Sequence, residues 1–470
     1  MQPHPATLAS LALFAPLAGA AQAPPGEGPA LGDDRITQDE IASGALSLDE
    51  IRLAGLKVFA TPFNRHDGYG DGPADPGKPT QPGARPTLQN NGTFLRVNGL
   101  DAQTCMECHS VGSNATVPFT FAVGGVGGSN NNALFQPTEI DVDDSSVLGY
   151  ASFDGRYINP PFLFGSGGVE LVAREMTLAL LARKQLAKES PGTPVPLVAK
   201  GVSFGAILFD ADSGTFDTSQ VEGIDADLVV RPFGRKGEFA TVRGFDVEAL
   251  AFHFGMQPVE AVGAGVDGDL DGTTDEILVG ELSALHVFNT NLERPTIEPL
   301  PGFEDGRRVF LEAGCADCHA PVMRTSSSTL SYSFPEDPLD PLASGYYQVD
   351  LAAGPAGFAP TAAGGIQVPL FSDLKRHDMG PELAESFGHG LDAQFVTARL
   401  WGVADTAPYL HDGRALTLSE AIELHGGEGA AASQAFAALG GAERVALLDF
   451  LRSLRTPEDP AADLLAADAP

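Results

Sequence analysis

Basic residues are scarce in this chain. Among 470 residues, 28 Lys and Arg stand against 62 Asp and Glu, a formal charge of −34. A phosphate backbone is bound through concentrated Lys and Arg, so nucleic acid is excluded as a natural partner. No apolar run is long enough to cross a bilayer, and no membrane span is expected. The main apolar stretch, Leu8 to Ala20, is too short for that and ends in the small residues Ala18-Gly19-Ala20. It reads as an export signal, residues 1–20, cleaved after Ala20 and sending the mature chain to the periplasm; the plainer alternative is an unstructured apolar tail. Tryptophan occurs once, and cysteine four times. At this length, four cysteines do not make a disulfide-stapled scaffold. What is abundant is loop-forming sequence, 55 Gly and 36 Pro, within a composition that is 43% apolar and 19% charged and therefore globular. The length suggests two or three domains.

All four cysteines fall in two copies of one pattern, Cys105-Met106-Glu107-Cys108-His109 and Cys315-Ala316-Asp317-Cys318-His319. This is the attachment pattern of c-type haem. Two thiols at this spacing reach the two vinyl groups of one porphyrin, and the adjacent histidine offers its imidazole to the iron. Cys-x-x-Cys disulfides or a four-thiolate zinc site are the alternatives, but neither requires His109 and His319 in the same place after both pairs.

Helical periodicity precedes each motif, over Leu48 to Phe59 and over Gly306 to Leu311, and an apolar stripe from Glu443 to Leu454 closes the chain. Glu170 to Ala187 has strong helix-forming composition. Short β-type runs, Val202 to Phe209 and Leu228 to Pro232, lie between turn residues, and Gly124 to Asn132 reads as loop. Pro295, Pro299 and Pro301 mark a linker. The expected fold is mainly α: two cytochrome c-like domains, 21–295 and 296–470, each binding one c-type haem, with loop-rich and small β elaborations in the first.

Several C-terminal segments are similar to those of the bacterial di-haem oxidoreductase family, which is related to the di-haem cytochrome c peroxidases. They are Ser372 to Gly380 (SDLKRHDMG), Leu400-Trp401-Gly402, Ala407 to Ala415 (APYLHDGRA) and Thr417 to Glu428 (TLSEAIELHGGE). In the first half, Phe63 to Gly70 and Asn159 to Gly167 resemble family segments as well. The resemblance implies an enzyme that reduces hydrogen peroxide at the N-terminal haem, using electrons that a small redox protein, such as a cytochrome c or a cupredoxin, delivers through the C-terminal haem. Glu170, after the Asn-Pro-Pro segment, resembles the peroxidases' acid/base glutamate, with Glu175 as second choice; a helix-start glutamate favoured by the dipole is the ordinary alternative. His425 stands where the peroxidases carry an axial methionine, which implies a bis-histidine second haem. Met379 is the other contender, at a distance from Cys318 that suits an ordinary cytochrome c. His377 and His411 read as hydrogen-bonding groups, and Arg414 as a partner for a haem propionate or a surface arginine. Where the peroxidases carry an inter-haem tryptophan this chain has Phe153, so Trp401 is expected in the core. His253 and Met256 are packing residues or resting-state ligands of the first haem.

A further motif is independent of the haems. Asp267, Asp269, Asp271 and Asp275 occupy positions 1, 3, 5 and 9 of a calcium-type loop with Gly272 at position 6, but Leu278 replaces the closing glutamate. It holds Ca2+ or is an acidic solvated loop. Besides the peroxidase, two other functions fit the motifs: a non-enzymatic di-haem electron carrier, and long-range oxidation of a protein side chain.

Overall fold

The computed structural model describes residues 27–70, 87–88, 93–94, 103–107, 109, 134–143, 150–387, 390–458 and 460–467. The expected signal segment 1–20, Cys108 and the run 124–132 lie outside them.

One helix crossing, used twice, organises the chain. The Leu48–Ala60 helix starts at Ser47, whose hydroxyl accepts from the Glu50 N–H at 3.2 Å while the Glu50 carboxylate accepts from the Ser47 N–H at 2.7 Å. Its Gly55 presses on the Val279–Thr290 helix so closely that a β-carbon would stand 2.1 Å from the Ala284 carbonyl oxygen and 2.6 Å from Phe288 Cβ. One turn on, Phe59 packs on Phe288 with ring centres 5.4 Å apart. In the C-terminal half the Phe303–Glu312 helix brings Gly306 to the Gly441–Arg452 helix, where a β-carbon would stand 2.1 Å from the Ala446 carbonyl oxygen and 2.6 Å from Phe450 Cβ. Phe310 then meets Phe450 at 5.2 Å. Each first helix is followed by a cysteine-bearing turn, Cys105–Glu107 or Cys315–Asp317. Glycine is needed at both crossings because the facing atoms are helix backbone, which has no room to shift. Gly306→Ala is therefore expected to cost about 1–3 kcal/mol by overpacking, more than the helix propensity it gains; a denaturant midpoint as high as that of the unsubstituted protein would contradict this.

Sequence periodicity assigns no helix to Val279–Thr290. Every residue from Gly280 to Thr290 is buried, so the helix has no polar face and shows no stripe.

The expectation of a mainly α fold is overturned. The chain is 36% helix and 16% strand, and its two- and three-stranded antiparallel sheets lie in both halves rather than only in the first. The first half holds Leu134–Asp143 paired with Tyr150–Ile158, and the sheet of Val195–Ala199, Val202–Asp210 and Thr215–Asp217. The second half holds Thr329–Ser333 with Gly345–Asp350, Met323–Arg324 with Ile366–Val368 and Ala359–Pro360, and Arg376–Asp378 with Gln394–Val396. Most of these strands are too short to display alternation, and Thr329–Ser333 is inaccessible on both faces, which removes the period-2 signal. Leu228 to Pro232 is irregular chain pinned by Val230, whose N–H donates to Thr177 Oγ1 at 3.0 Å.

The halves are interlocked. The proline-bracketed linker forms a strand, Thr296–Ile297, that pairs with Leu454–Arg455. The Ser166–Glu189 helix reaches from the first half into the second, where Glu175 accepts from the backbone N–H and hydroxyl of Ser326, both at 2.8 Å, and from Lys200 at 2.6 Å. Glu175 thus serves as a tie between segments.

Candidate functional site

Around the second cysteine motif, local geometry brings two imidazoles together. The His319 N–H closes the cysteine turn onto the Cys315 carbonyl at 3.0 Å, and its Nδ1 lies 3.1 Å from the Phe371 carbonyl oxygen. His425 follows the Leu418–Glu423 helix, and its Nδ1 lies 2.7 Å from the Ala421 carbonyl oxygen one turn back. A carbonyl at Nδ1 fixes the tautomer with the proton there, which leaves both Nε2 lone pairs open to a metal. The ring centres are 6.3 Å apart. Two metal–nitrogen bonds of about 2 Å, with about 1 Å more from each nitrogen to its ring centre, require about 6 Å for one shared metal ion. The residues therefore fit an iron held between them. Burial, then the neighbouring His425, draws His319 down to about 4, and burial also lowers His425. Both rings stay neutral and able to ligate at neutral pH. Burial pushes the Cys315 thiol up to about 11.

Met379 lies on the His425 side. Its methyl and His425 Cδ2 are both 3.2 Å from where a Gly429 β-carbon would stand, so the thioether packs beside that ring. Gly427 makes this approach possible: φ is +49°, and a β-carbon there would be 2.1 Å from the Asp378 carbonyl oxygen. His377 is buried between carboxylates, with Nε2 2.8 Å from Asp373, Nδ1 2.7 Å from Glu428, and Cys318 Sγ 3.9 Å away. Burial opposes its charging, but Asp373, Cys318 and Glu428 outweigh that and lift it to about 11. It is an imidazolium that orders this wall. His411 stacks on Phe395 at 4.5 Å, and its N-terminal neighbours are clasped by Asn159, whose Nδ2 donates to the Pro408 and Leu410 carbonyls at 2.7 and 3.0 Å. Arg414 is tied to Asp412 at 2.6 Å and to the Glu382 carbonyl at 2.7 Å. Trp401 is 1% exposed, beside Phe358, and lies against Gly165.

At the first motif the His109 N–H closes the turn onto the Cys105 carbonyl at 2.8 Å. Burial, then His253, draws the His109 ring down to about 4, which places His253 close by. His253 sits on a π-helical turn, Leu250–Phe254, a form that recurs at functional sites. Burial and then Asp246 raise the Cys105 thiol. Asp246 is itself pushed well up by burial, with Asn289 Nδ2 at 3.1 and 3.2 Å from its two oxygens.

Glu170 lies at the centre of a buried polar cluster. It is 0% exposed, its carboxylate accepts from Arg174 and from the Val242 N–H at 2.9 Å, and His286 Nε2 is 3.1 Å away. Burial opposes ionisation, but His286 and Arg174 outweigh it and hold Glu170 at about 2. Glu336 completes the group, 3.7 Å from Arg174, accepting from the Thr241 hydroxyl at 2.6 Å and raised chiefly by burial. A cavity of about 20 Å³ beside it, lined by Arg174, Thr241, Ser333 and Glu336, has room for one water. His286, Glu336, Asp246 and Asn289 carry no sequence signal, since they come from three separate segments.

In the acidic loop, carboxylate oxygens of Asp267, Asp269 and Asp271 lie within 4.8 Å of one another. Asp275 turns away and accepts from the Gly265 N–H at 2.7 Å. Glu276, 2% exposed, is a neighbouring carboxyl outside that cluster; burial, then those aspartates, raise it to about 8 while it accepts from the Gln257 N–H at 2.7 Å.

No curated protein matches the sequence. Among solved structures the chain is similar to Kuenenia stuttgartiensis hydrazine synthase, with 15% identity, TM-score 0.33, and 96% of this chain and all of that one covered. It is also similar to a MauG-like protein associated with microbial copper homeostasis, with 18% identity, TM-score 0.26, and 52% and 75% covered. Residues 354–454, which contain Phe371, His377, Met379, Trp401, His411 and His425, match the family described as di-haem oxidoreductase, putative peroxidase.

Proposed function

We propose that this chain is a di-haem oxidoreductase that carries one covalent haem on each Cys-x-x-Cys-His motif and reduces hydrogen peroxide to water in the periplasm. The observation that carries this reading is the 6.3 Å pairing of the rings of His319, beside Cys315 and Cys318, and His425, which lies within the family-matched stretch. Bound haem supplies the redox-active iron for peroxide reduction and electron storage. His319 and His425 would hold the second haem, which would then serve electron transfer. His109 holds the first. Glu170, an ionised carboxylate with His286 Nε2 3.1 Å away, is the candidate proton-transfer group, and Asp246, whose carboxyl burial raises beside Cys105, is a second. The export signal supports the periplasmic site. The −34 charge favours an electron donor with a basic rim, such as a cytochrome c or cupredoxin, whose docking rate falls as salt rises.

The competing reading is an electron carrier, favoured by the closeness of His253 to His109, which would close the first iron as well. Low-temperature EPR of the holoprotein, together with peroxide turnover using a reduced cytochrome, separates the two. One high-spin and one low-spin haem with peroxide-dependent oxidation of the donor supports the enzyme. Two low-spin haems inert to peroxide, oxidised or half-reduced, leave the carrier.

Ca2+ is proposed at Asp267, Asp269 and Asp271. The support is the donor set, hard oxygen ligands converging in a tight loop. Calcium at about 100 times its dissociation constant is expected to stabilise the protein by about 2.7 kcal/mol and raise Tm. Asp269→Asn should abolish that rise, and a Tm indifferent to both calcium and chelator would remove the assignment.

A further inference from the structure

Deeply set arginines in this chain are matched with acids. Arg52 meets Asp463 at 2.5 Å, Arg235 meets Glu385 at 2.6 Å, Arg243 meets Glu260 at 2.5 Å, and Arg174 pairs with Glu170. Arg399 is the exception. In a chain with 62 carboxylates, none among the described residues pairs with it. Its contacts are one long hydrogen bond to the Pro232 carbonyl at 3.4 Å and the Phe233 ring at 6.0 Å. Burial alone draws it to about 10, with no carboxylate contributing, so it is still charged at neutral pH. Part of its surface is nonetheless uncovered.

Its chain neighbours place Arg399 beside the second cysteine motif. The Ala398 carbonyl acts on the His319 ring. Thr397 donates to Asp373 at 2.7 Å, and Asp373 holds His377 beside Cys318. A desolvated guanidinium with no counter-ion is costly, and its planar fork suits one carboxylate in two-point contact. Arg414, already bonded to Asp412, has no such need. We propose that Arg399 holds a carboxylate, a propionate of the haem carried on Cys315 and Cys318. This rests on the haem assignment above.

The test is a redox titration of the low-spin haem from pH 6 to 9 in the wild-type holoprotein, R399Q, R399K and R414Q, with and without acetate as a free carboxylate probe. Loss of a cation beside the haem favours the more positive ferric state. R399Q is therefore expected to shift the ferric/ferrous equilibrium at least tenfold towards ferric, which is 59 mV downward for one electron. It should also make the potential pH-dependent, because the freed propionate becomes titratable. R399K should keep the neutral-pH potential but lose it at alkaline pH, where lysine discharges; that curve also carries the test if R399Q does not accumulate. R414Q should match wild type. An unchanged potential and pH profile in R399Q or R399K, with both haems present, overturns the proposal. So does an acetate response that depends on Arg399 while the potential does not, since Arg399 would then serve a mobile anion. A wild-type protein holding no second haem defeats the functional reading instead.

Discussion

Replacing His425 by alanine is expected to abolish the low-spin signal of the second haem and leave it five-coordinate, while Met379→Ala leaves that signal intact. The reasoning is geometric. The ring centres of His425 and His319 are 6.3 Å apart and each Nδ1 is held by a backbone carbonyl, whereas the Met379 methyl packs beside the His425 ring. An iron losing one of two imidazoles has no second strong ligand in reach except that thioether. If Met379 does swing in, H425A retains a low-spin haem at a raised potential, because an axial methionine favours the ferrous state relative to histidine. The double variant H425A/M379A removes this escape and must be high-spin. EPR of the three variants decides the matter: a low-spin second haem surviving in the double variant would show that another residue is the sixth ligand. Nothing in the overall packing depends on the His425 side chain, which stands after its helix and is only half-buried, so the variants should fold.

The second large effect concerns Glu170. Removing one member of a buried ion pair strands the other, and Glu170→Ala, which leaves Arg174 facing no full partner, should cost about 3–5 kcal/mol of stability. The double variant with Arg174→Leu should recover much of that loss. The pH dependence has a definite sign. Glu170 is held at about 2 instead of its ordinary 4.5, so its contribution, about 3 kcal/mol, is fully present above pH 4.5 and disappears as pH falls through 4.5 towards 2. Unfolding free energies across that range should fall in the wild type, and the Glu170→Ala protein should lack this component. An acid limb of equal slope in both proteins would mean that Glu170 is not ionised in the native state. Glu170→Gln keeps the shape and the Val242 contact while removing the charge, and is expected to lower peroxide turnover far more than it lowers haem content. Equal loss of both would make the residue structural rather than catalytic.

Several particulars show how far the sequence reaches. The two cysteine motifs, the helices before them and the closing helix are legible because each depends on residues a few positions apart. His425 could be named from the segment around it, and the structure brings it beside His319. The strands of the C-terminal half were not legible, because strands of two to six residues are too short to show alternation and Thr329–Ser333 is buried on both sides. Nor was the helix carrying His286 and Asn289, whose polar residues lie inside the molecule. Glu175 and Arg414 show the opposite limit: their residue types invited functional roles, yet their carboxylate and guanidinium are taken up by Ser326 and Lys200, and by Asp412.

By itself the sequence determined where the cofactors can be attached and that the surface is strongly acidic, since thiol spacing and net charge are properties of contiguous residues or of simple composition. Tertiary structure alone decided which groups meet: His425 beside His319, His286 and Arg174 around Glu170, and the Gln257 N–H on Glu276. Those pairings join segments tens to hundreds of residues apart, and the cost of burying a charge is offset only by whatever partner the packed chain brings to it. Pattern in the sequence cannot supply that partner, because the energy that selects it exists only once the chain has folded.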